Sequence, residues 1–247
     1  MNKVLILTDN EILLTGIQPI INKLNPLFVN DFEFEYAYSY NNKSFAFKYS
    51  NSDWIHKLNV KENVEYLLNR YSLIISLHCK QLFPVELVKK KRCINVHPGL
   101  NPFNRGWYPQ VFSIINGLPC GATIHEMDEF LDHGPVICQK EVLIESWDTS
   151  FSAYNKILDA ELDLFEKYLV TILYNNYTKE IKEEGNINWK MDFDKLCNLD
   201  LRAKDTFLNH INHLRALTHG DYANAFFIDN SGNKVFIKVE LHKEESK

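Results

Sequence analysis

Asn95 and His97 stand two apart in the run Arg92-Cys93-Ile94-Asn95-Val96-His97-Pro98, a spacing that puts both side chains on one face of a β-strand. An amide side chain can hydrogen-bond an oxygen that gains negative charge, and an imidazole with a pKa of about 6.5 can accept a proton at neutral pH. Together they suit transfer of an acyl or formyl group to an amine. Asp132, in Leu131-Asp132-His133-Gly134, is the candidate carboxylate that would orient His97 and raise its pKa. General acid–base catalysis contributes about 10²–10⁴-fold and one oxyanion donor about 10²–10³-fold, so losing either group would be visible. Taken alone, both features also fit turn chemistry. A strand-end Asn or His is commonly satisfied within a turn, and an Asp before His-Gly can close a hairpin.

The elements around these residues place them at a sheet edge. Val4 to Leu7 is a continuous apolar run and Glu11 to Leu24 has helical apolar spacing, the pattern of a buried parallel strand followed by a helix. Strand-like Phe32 to Tyr40, helix-like Glu62 to Arg70, the apolar run Leu73 to Leu77 and a helix opened by Pro84 continue the alternation. Arg92 to Val96 forms the next strand and runs into His97-Pro98-Gly99-Leu100-Asn101-Pro102, where neither strand nor helix can continue. Alternating strands and helices predict an α/β fold, Rossmann-like, with a mainly parallel sheet, helices on both faces and ligands beyond the carboxyl ends of the strands.

Downstream, the sequence predicts a helix from Pro109 to Asn116, strand-like segments 122–127 and 135–144, and a long helix capped by Asp148 or Ser150. That helix carries the apolar stripe Phe151, Tyr154, Leu158, Leu162, Phe165, Leu169 and Ile172, read as core packing. Residues 179–192 read as a linker. Beyond it come a helix from Lys204 to Leu217 and two strand-like segments joined by Asp229-Asn230-Ser231-Gly232-Asn233, a good hairpin turn. The expected division is a Rossmann-like catalytic domain over 1–180 and a small C-terminal helix and β-hairpin region over 181–247.

With 45% hydrophobic and 24% charged residues, the 247-residue chain has material for one large core. Its formal charge of −5 recruits neither nucleic acid nor an anionic membrane surface. Five scattered cysteines with no CxxC pair suit reduced thiols in the cytoplasm, so no disulfide is expected. The N-terminus lacks a signal-peptide cleavage pattern, and no stretch approaches the ~18 apolar residues of a spanning helix.

Residues 95–137, NVHPGLNPFNRGWYPQVFSIINGLPCGATIHEMDEFLDHGPVI, resemble the folate-dependent formyltransferase signature. Asn-x-His-Pro, an Arg-Gly loop, a Gly-x-Thr strand and Leu-Asp-x-Gly follow in that order. The resemblance covers roughly residues 1–180 and implies that Asn95, His97 and Asp132 are the catalytic residues, with 10-formyltetrahydrofolate as cosubstrate and no metal. HPGLNPFNRGWYPQVF is most similar to the sugar N-formyltransferases, which implies an amino sugar carried on a nucleotide, dTDP-4-amino-4,6-dideoxyglucose by preference. Relatives acting on initiator tRNA or glycinamide ribonucleotide usually have Ser-Leu-Leu-Pro where this chain has Gly99-Leu100-Asn101-Pro102. Another folate-dependent formyl enzyme (a tRNA or glycinamide ribonucleotide formyltransferase or a formyltetrahydrofolate hydrolase) and a non-catalytic nucleotide-sugar binder are the alternatives. Against a dinucleotide binder, the first strand–helix turn has Thr8-Asp9-Asn10 in place of GxGxxG.

By the same resemblance, Cys79, Lys80, Gln81, Leu82 and Phe83 form the folate pocket with the Asp128–Asp132 loop, Leu82 packing within it. The structural alternative is a strand end turning into a helix. Arg105, Gly106 and Trp107 offer a guanidinium, close backbone approach and an indole; Asn10 and Tyr222, the latter stacking on the base, are further candidates for the nucleotide sugar. His210, His213 and His219 lack a metal-ligand pattern and read as helix-surface or cap residues. Family likeness and the apolar hairpin imply a homodimer through that hairpin.

Overall fold

The computed structural model of the chain describes residues 1–244, so the last three positions of the C-terminal region lie outside it. The first half alternates β1 (Asn2–Thr8), α1 (Glu11–Leu24), β2 (Phe32–Ser39), α2 (Lys43–Lys48), β3 (Ile55–Leu58), α3 (Val64–Arg70), β4 (Leu73–Leu77), α4 (Val85–Lys90) and β5 (Arg92–His97). Then follow β6 (Arg105–Gly106), α5 (Pro109–Asn116), β7 (Gly121–Glu126), β8 (Val136–Glu141) and the long α6 (Ser150–Leu173). The C-terminal part holds β9 (Ile187–Asn188), α7 (Lys190–Cys197), α8 (Phe207–Leu217), β10 (Thr218–His219), β11 (Tyr222–Ala223), β12 (Ala225–Ile228) and β13 (Lys234–Ile237).

One seven-stranded sheet runs β3-β2-β1-β4-β5-β7-β8, parallel from β3 to β5 and antiparallel over β7 and β8. Every residue of β4, Leu73-Ile74-Ile75-Ser76-Leu77, is buried, as a strand covered on both faces requires. On one face Val4, Ile6, Ile75 and Val96 pack with Leu13 and Ile17 of α1 and with Ile157, Leu164 and Phe165 of α6. On the other, Leu5, Leu7 and Ile74 meet Leu67 of α3 and Leu87 of α4. Full burial of side chains this size is worth about 1.5–3 kcal/mol each, and that is what binds the helices to the sheet.

Four details differ from the sequence reading. The cap of α6 is Thr149, whose side chain takes the Ser152 N–H, because the Asp148 carboxylate is already held by Lys156, Ser152 Oγ and the Glu145 N–H. The segment read as a linker contains β9 and the start of α7; β9 pairs with β6, and Cys197 of α7 is buried with Ala216, Leu217 and Ala225 against Val111 and Ile114 of α5. The short α2 and β3 carry too few residues to show a period. Within the α6 stripe, Phe151 is 44% exposed while Glu161, between Leu158 and Phe165, is fully buried. All five cysteines are free. Among the described residues no helix is long and apolar enough to cross a membrane.

Candidate active site

Asn95 and His97 leave the same face at the carboxyl end of β5, as their spacing dictates. The loop after β7 carries Asp132 back to them. Asp132 Oδ1 accepts the Asn95 Nδ2 hydrogen at 3.0 Å, and Oδ2 lies 3.5 Å from His97 Nδ1. The Gly106 N–H reaches Oδ2 at 3.1 Å, and Asn101 Nδ2 donates to the Asp132 carbonyl at 2.8 Å. Asp132 itself has φ +48°, a left-handed conformation that Asp tolerates better than most residues and that these contacts over-determine.

With the carboxylate facing Nδ1, the ring proton sits on Nδ1 and the lone pair on Nε2. His97 is 3% exposed, and Nε2 has no hydrogen-bond partner within the protein. A Cβ on Gly99 would stand 2.4 Å from Nε2, so glycine lets the loop pass this close without pushing into the ring. The expected rise in the His97 pKa is not what the site produces. Burial is the largest influence and lowers it, Asp132 opposes, and the Arg105 charge lowers it further. The net direction is down, which leaves His97 a neutral base at neutral pH.

Asn95 has one Nδ2 hydrogen on Asp132, while the approach to His125 Nε2 is long at 3.4 Å. His125 Nδ1 donates to the Glu126 carbonyl at 2.7 Å, and burial holds this second histidine neutral too. Both acceptors around Asn95 therefore address its nitrogen. This fixes the amide's orientation, and the hydrogen on the long His125 approach is the one that an incoming oxygen can take over.

The loop that carries Arg105 is clamped from behind. Asn104 Oδ1 accepts from Asn116, Asn186 and Asn188, and the Asn104 N–H meets Asn186 Oδ1 at 2.9 Å. Gly106 has φ +90°, and a Cβ there would lie 2.4 Å from the Asn188 carbonyl, so only glycine lets the loop approach β9 this closely. Arg105 is 7% exposed and its Nε has no partner, an unpaired polar atom near His97. Trp107 is 37% exposed and tilts against Tyr108, ring centroids 5.6 Å apart.

The proposed folate segment follows β4. Cys79 is half-buried, its thiol pushed up to about 12 by burial and in contact with Ser39 Oγ and the Gln81 N–H. The Lys80 N–H donates to Asp9 at 2.8 Å, and the Gln81 side chain bridges the Val60 N–H and the Leu58 carbonyl. Phe83 packs against the core on the α3 and α4 side. Leu82, read as packing within the folate pocket, is 79% exposed on the turn. Asp128 takes the Phe130 N–H at 2.9 Å and pairs with His133 at 2.7 Å, which tightens its loop.

Asn10 caps α1, its Oδ1 accepting from the Leu13 N–H at 3.0 Å, and its Nδ2 reaches Tyr154 and His78. Tyr222 is 73% exposed and pairs with His219 across β10 and β11. His219 is no helix-surface residue: it packs on Phe151 and Tyr154, and its Nδ1 lies 3.1 Å from Ser150 Oγ. The sequence reading missed His78, His125, Tyr154 and Glu161. A glutamate within the apolar stripe of α6, seven residues from a tyrosine on the same face, was the one available signal. Among the described residues no group of His, Cys, Asp and Glu could hold a metal ion.

Comparison with known proteins covers most of the chain. Residues 36–169 match the family described as formyl transferase, and residues 192–243 match an N-formyltransferase dimerization C-terminal domain. The chain is 50% identical over 192 residues to dTDP-4-amino-4,6-dideoxyglucose formyltransferase of Mycobacterium tuberculosis, spanning 77% of this chain and 82% of that protein. Among solved structures, a sugar N-formyltransferase from a Shewanella species superposes with a TM-score of 0.94 at 43% identity, covering 99% of this chain and all of the other. A 4-N formyltransferase from Francisella tularensis gives 0.92 at 45% identity, covering 98% and 99%.

Proposed function

The chain belongs to the formyltransferase family, and we propose that its reaction moves the formyl group of 10-formyltetrahydrofolate onto the 4-amino group of dTDP-4-amino-4,6-dideoxyglucose. One observation carries the chemistry: a buried imidazole, oriented by a carboxylate at Nδ1, leaves Nε2 unpartnered beside an amide whose second hydrogen makes only a long, 3.4 Å contact. The relative sharing half its residues carries the name of that sugar and supports the choice of acceptor.

When bound, the folate supplies the formyl carbon. His97 Nε2 takes the proton that the amine loses as its nitrogen bonds to that carbon, and the same proton is available to N10 of the folate as the carbon–N10 bond breaks and tetrahydrofolate leaves. Asn95 Nδ2 donates to the oxygen that gains charge, and Asp132 holds both side chains while its charge supports the imidazolium that forms. Arg105, buried near His97, adds positive charge to the same region. The Cys79–Phe83 backbone, exposed Leu82 and the Asp128 loop border the folate; Asn10, Gly106, Trp107 and Tyr222 border the nucleotide sugar.

We read the enzyme as cytoplasmic and as a homodimer through its C-terminal region. Phe207, Leu208 and Ile211 on α8, with Ile228 and Phe236 on the hairpin, are 44–87% exposed, an apolar area that a second copy would cover. The test of function is a panel of nucleotide-linked 3-amino and 4-amino sugars incubated with 10-formyltetrahydrofolate, read by mass spectrometry for gain of one carbonyl. Modification of the 4-amino sugar is expected. Formate release without any acceptor would identify a hydrolase instead.

A further inference from the structure

The chain leaves β1 in one direction to build β2 and β3, then returns to the other side of β1 for β4. The strand order therefore reverses between β1 and β4, and a crevice opens at their carboxyl ends. Leu77 pairs with Thr8 on one side and Val96 on the other. Asn10, His78 and His97 thus follow one another along one edge, on neighbouring strands about 4.8 Å apart. The proposed chemistry uses His97 and leaves His78 without a part.

His78 belongs to a chain of hydrogen bonds in which each link fixes the next. Asn10 Oδ1 is held by the Leu13 N–H at 3.0 Å, so the amide cannot turn over. Its Nδ2 donates to the Tyr154 hydroxyl at 2.7 Å. Tyr154 must then give its own proton to His78 Nδ1, 3.1 Å away. The ring proton of His78 lies on Nε2 and is donated to Glu161 Oε1 at 2.8 Å. Glu161 is fully buried in α6, and its Oε2 has no partner. Burial pushes that carboxyl up while the imidazole opposes the shift. Protonated or not, the group keeps an oxygen that can accept the Nε2 hydrogen.

His78 has φ +55°, a left-handed conformation that a non-glycine residue keeps only where its surroundings fix it. The four side chains come from β1–α1, the end of β4 and two turns of α6. The second hydrogen of Asn10 Nδ2 has only a 3.3 Å approach to His78 Nδ1, an atom that Tyr154 already serves.

Resting on the amino-sugar acceptor proposed above, we infer that Glu161, His78 and Tyr154 are positioning residues that lock Asn10 as a one-way donor. Its remaining Nδ2 hydrogen holds an oxygen of the acceptor sugar in the crevice beside His97. The array is a binding device for the acceptor and takes no proton in the transfer.

Three variants test this with both substrates varied. Asn10→Ser keeps a good helix cap but removes the amide donor. Its expected effect is an acceptor KM raised about tenfold, with kcat and the donor KM within about twofold. Glu161→Leu removes the anchor of His78 and should give the same split. Glu161→Gln restores the acceptor oxygen and should recover most of that loss, which a merely structural role for the site would not predict. An unchanged acceptor KM in Asn10→Ser, a rise confined to the donor KM, or a Glu161→Gln variant no better than Glu161→Leu overturns the inference. Wild-type protein that formylates no amino sugar sinks the acceptor assignment and this inference together; active wild type with unaffected variants sinks this inference alone.

Discussion

The two polar groups at the carboxyl edge of the sheet are neighbours with opposite arrangements. At the end of β5, Asn95, His97 and Asp132 hold one another through contacts of 3.0 and 3.5 Å but leave His97 Nε2 without a partner. At the ends of β1 and β4, Asn10, Tyr154 and His78 satisfy one another in sequence, and the unpartnered oxygen belongs to buried Glu161 behind them. An unpartnered lone pair can take part in bond making, whereas a satisfied chain can only hold something in place. The contrast assigns chemistry to the first group and orientation to the second, and it sets the size expected of each substitution.

The largest effects belong to the first group. In a folded protein His97→Asn is expected to lower kcat by about 10²–10⁴-fold, and Asn95→Ala by about 10²–10³-fold, measured with saturating substrates. Array variants should act on the acceptor KM instead. Near wild-type turnover by His97→Asn would erase the distinction between the regions, since the unpartnered lone pair would then have no use.

The two groups also differ in how far the sequence reveals them. All three residues of the first lie within 95–132, and the spacing of Asn95 and His97 fixes their common face whatever the rest of the chain does. The second draws on residues 10, 78, 154 and 161, whose proximity depends on where α6 crosses the sheet. Tyr154 obeys the helical apolar period and so reads as core, while only the burial of Glu161 marks that face as polar. The strands β1, β4 and β5 are apolar runs legible to within a residue or two. In contrast, α2, β3 and β9 are too short for any period to emerge, and β9 exists because Gly106 and Asn104 let the Arg105 loop dock on residues 186–188.

Gly99→Ala tests whether the open nitrogen matters apart from its identity. The added methyl would meet Nε2 at 2.4 Å, so the ring must turn or the loop must shift. Displacing a reacting group by about 1 Å can cost roughly 10²-fold. A kcat loss of that order with an unchanged acceptor KM would sharpen the division, and a loss expressed mainly in acceptor KM would blur it.

A smaller effect probes how far the orienting region extends. Tyr154 packs on His219, ring centroids 5.6 Å apart, and His219 pairs with Tyr222, so the array continues outward to an aromatic residue 73% exposed at the rim. An aromatic contact is worth about 0.5–1.5 kcal/mol, so Tyr222→Ala should raise the acceptor KM between about twofold and tenfold and leave kcat alone. If the donor KM rises instead, the rim belongs to the folate side and the orienting region ends at Tyr154.

The smallest expected effect is one of pH. His97 must be neutral to accept a proton, and its net pKa lies below the ordinary value of 6.5, because burial and the Arg105 charge outweigh the upward pull of Asp132. A histidine at its ordinary value would be half protonated at pH 6.5, and kcat limited by it would there have fallen to half its plateau. The depressed value keeps more than half of His97 neutral at that pH, so kcat at saturating acceptor should fall less than twofold between pH 8 and pH 6.5 and decline only below it. Asp132→Asn removes the one group that raises the pKa, so the residual activity of that variant should decline at still lower pH than wild type. A limb that moves upward in Asp132→Asn would show that some group other than His97 governs it. Glu161→Gln should leave the limb where it is, because its group holds the acceptor and does not accept the proton.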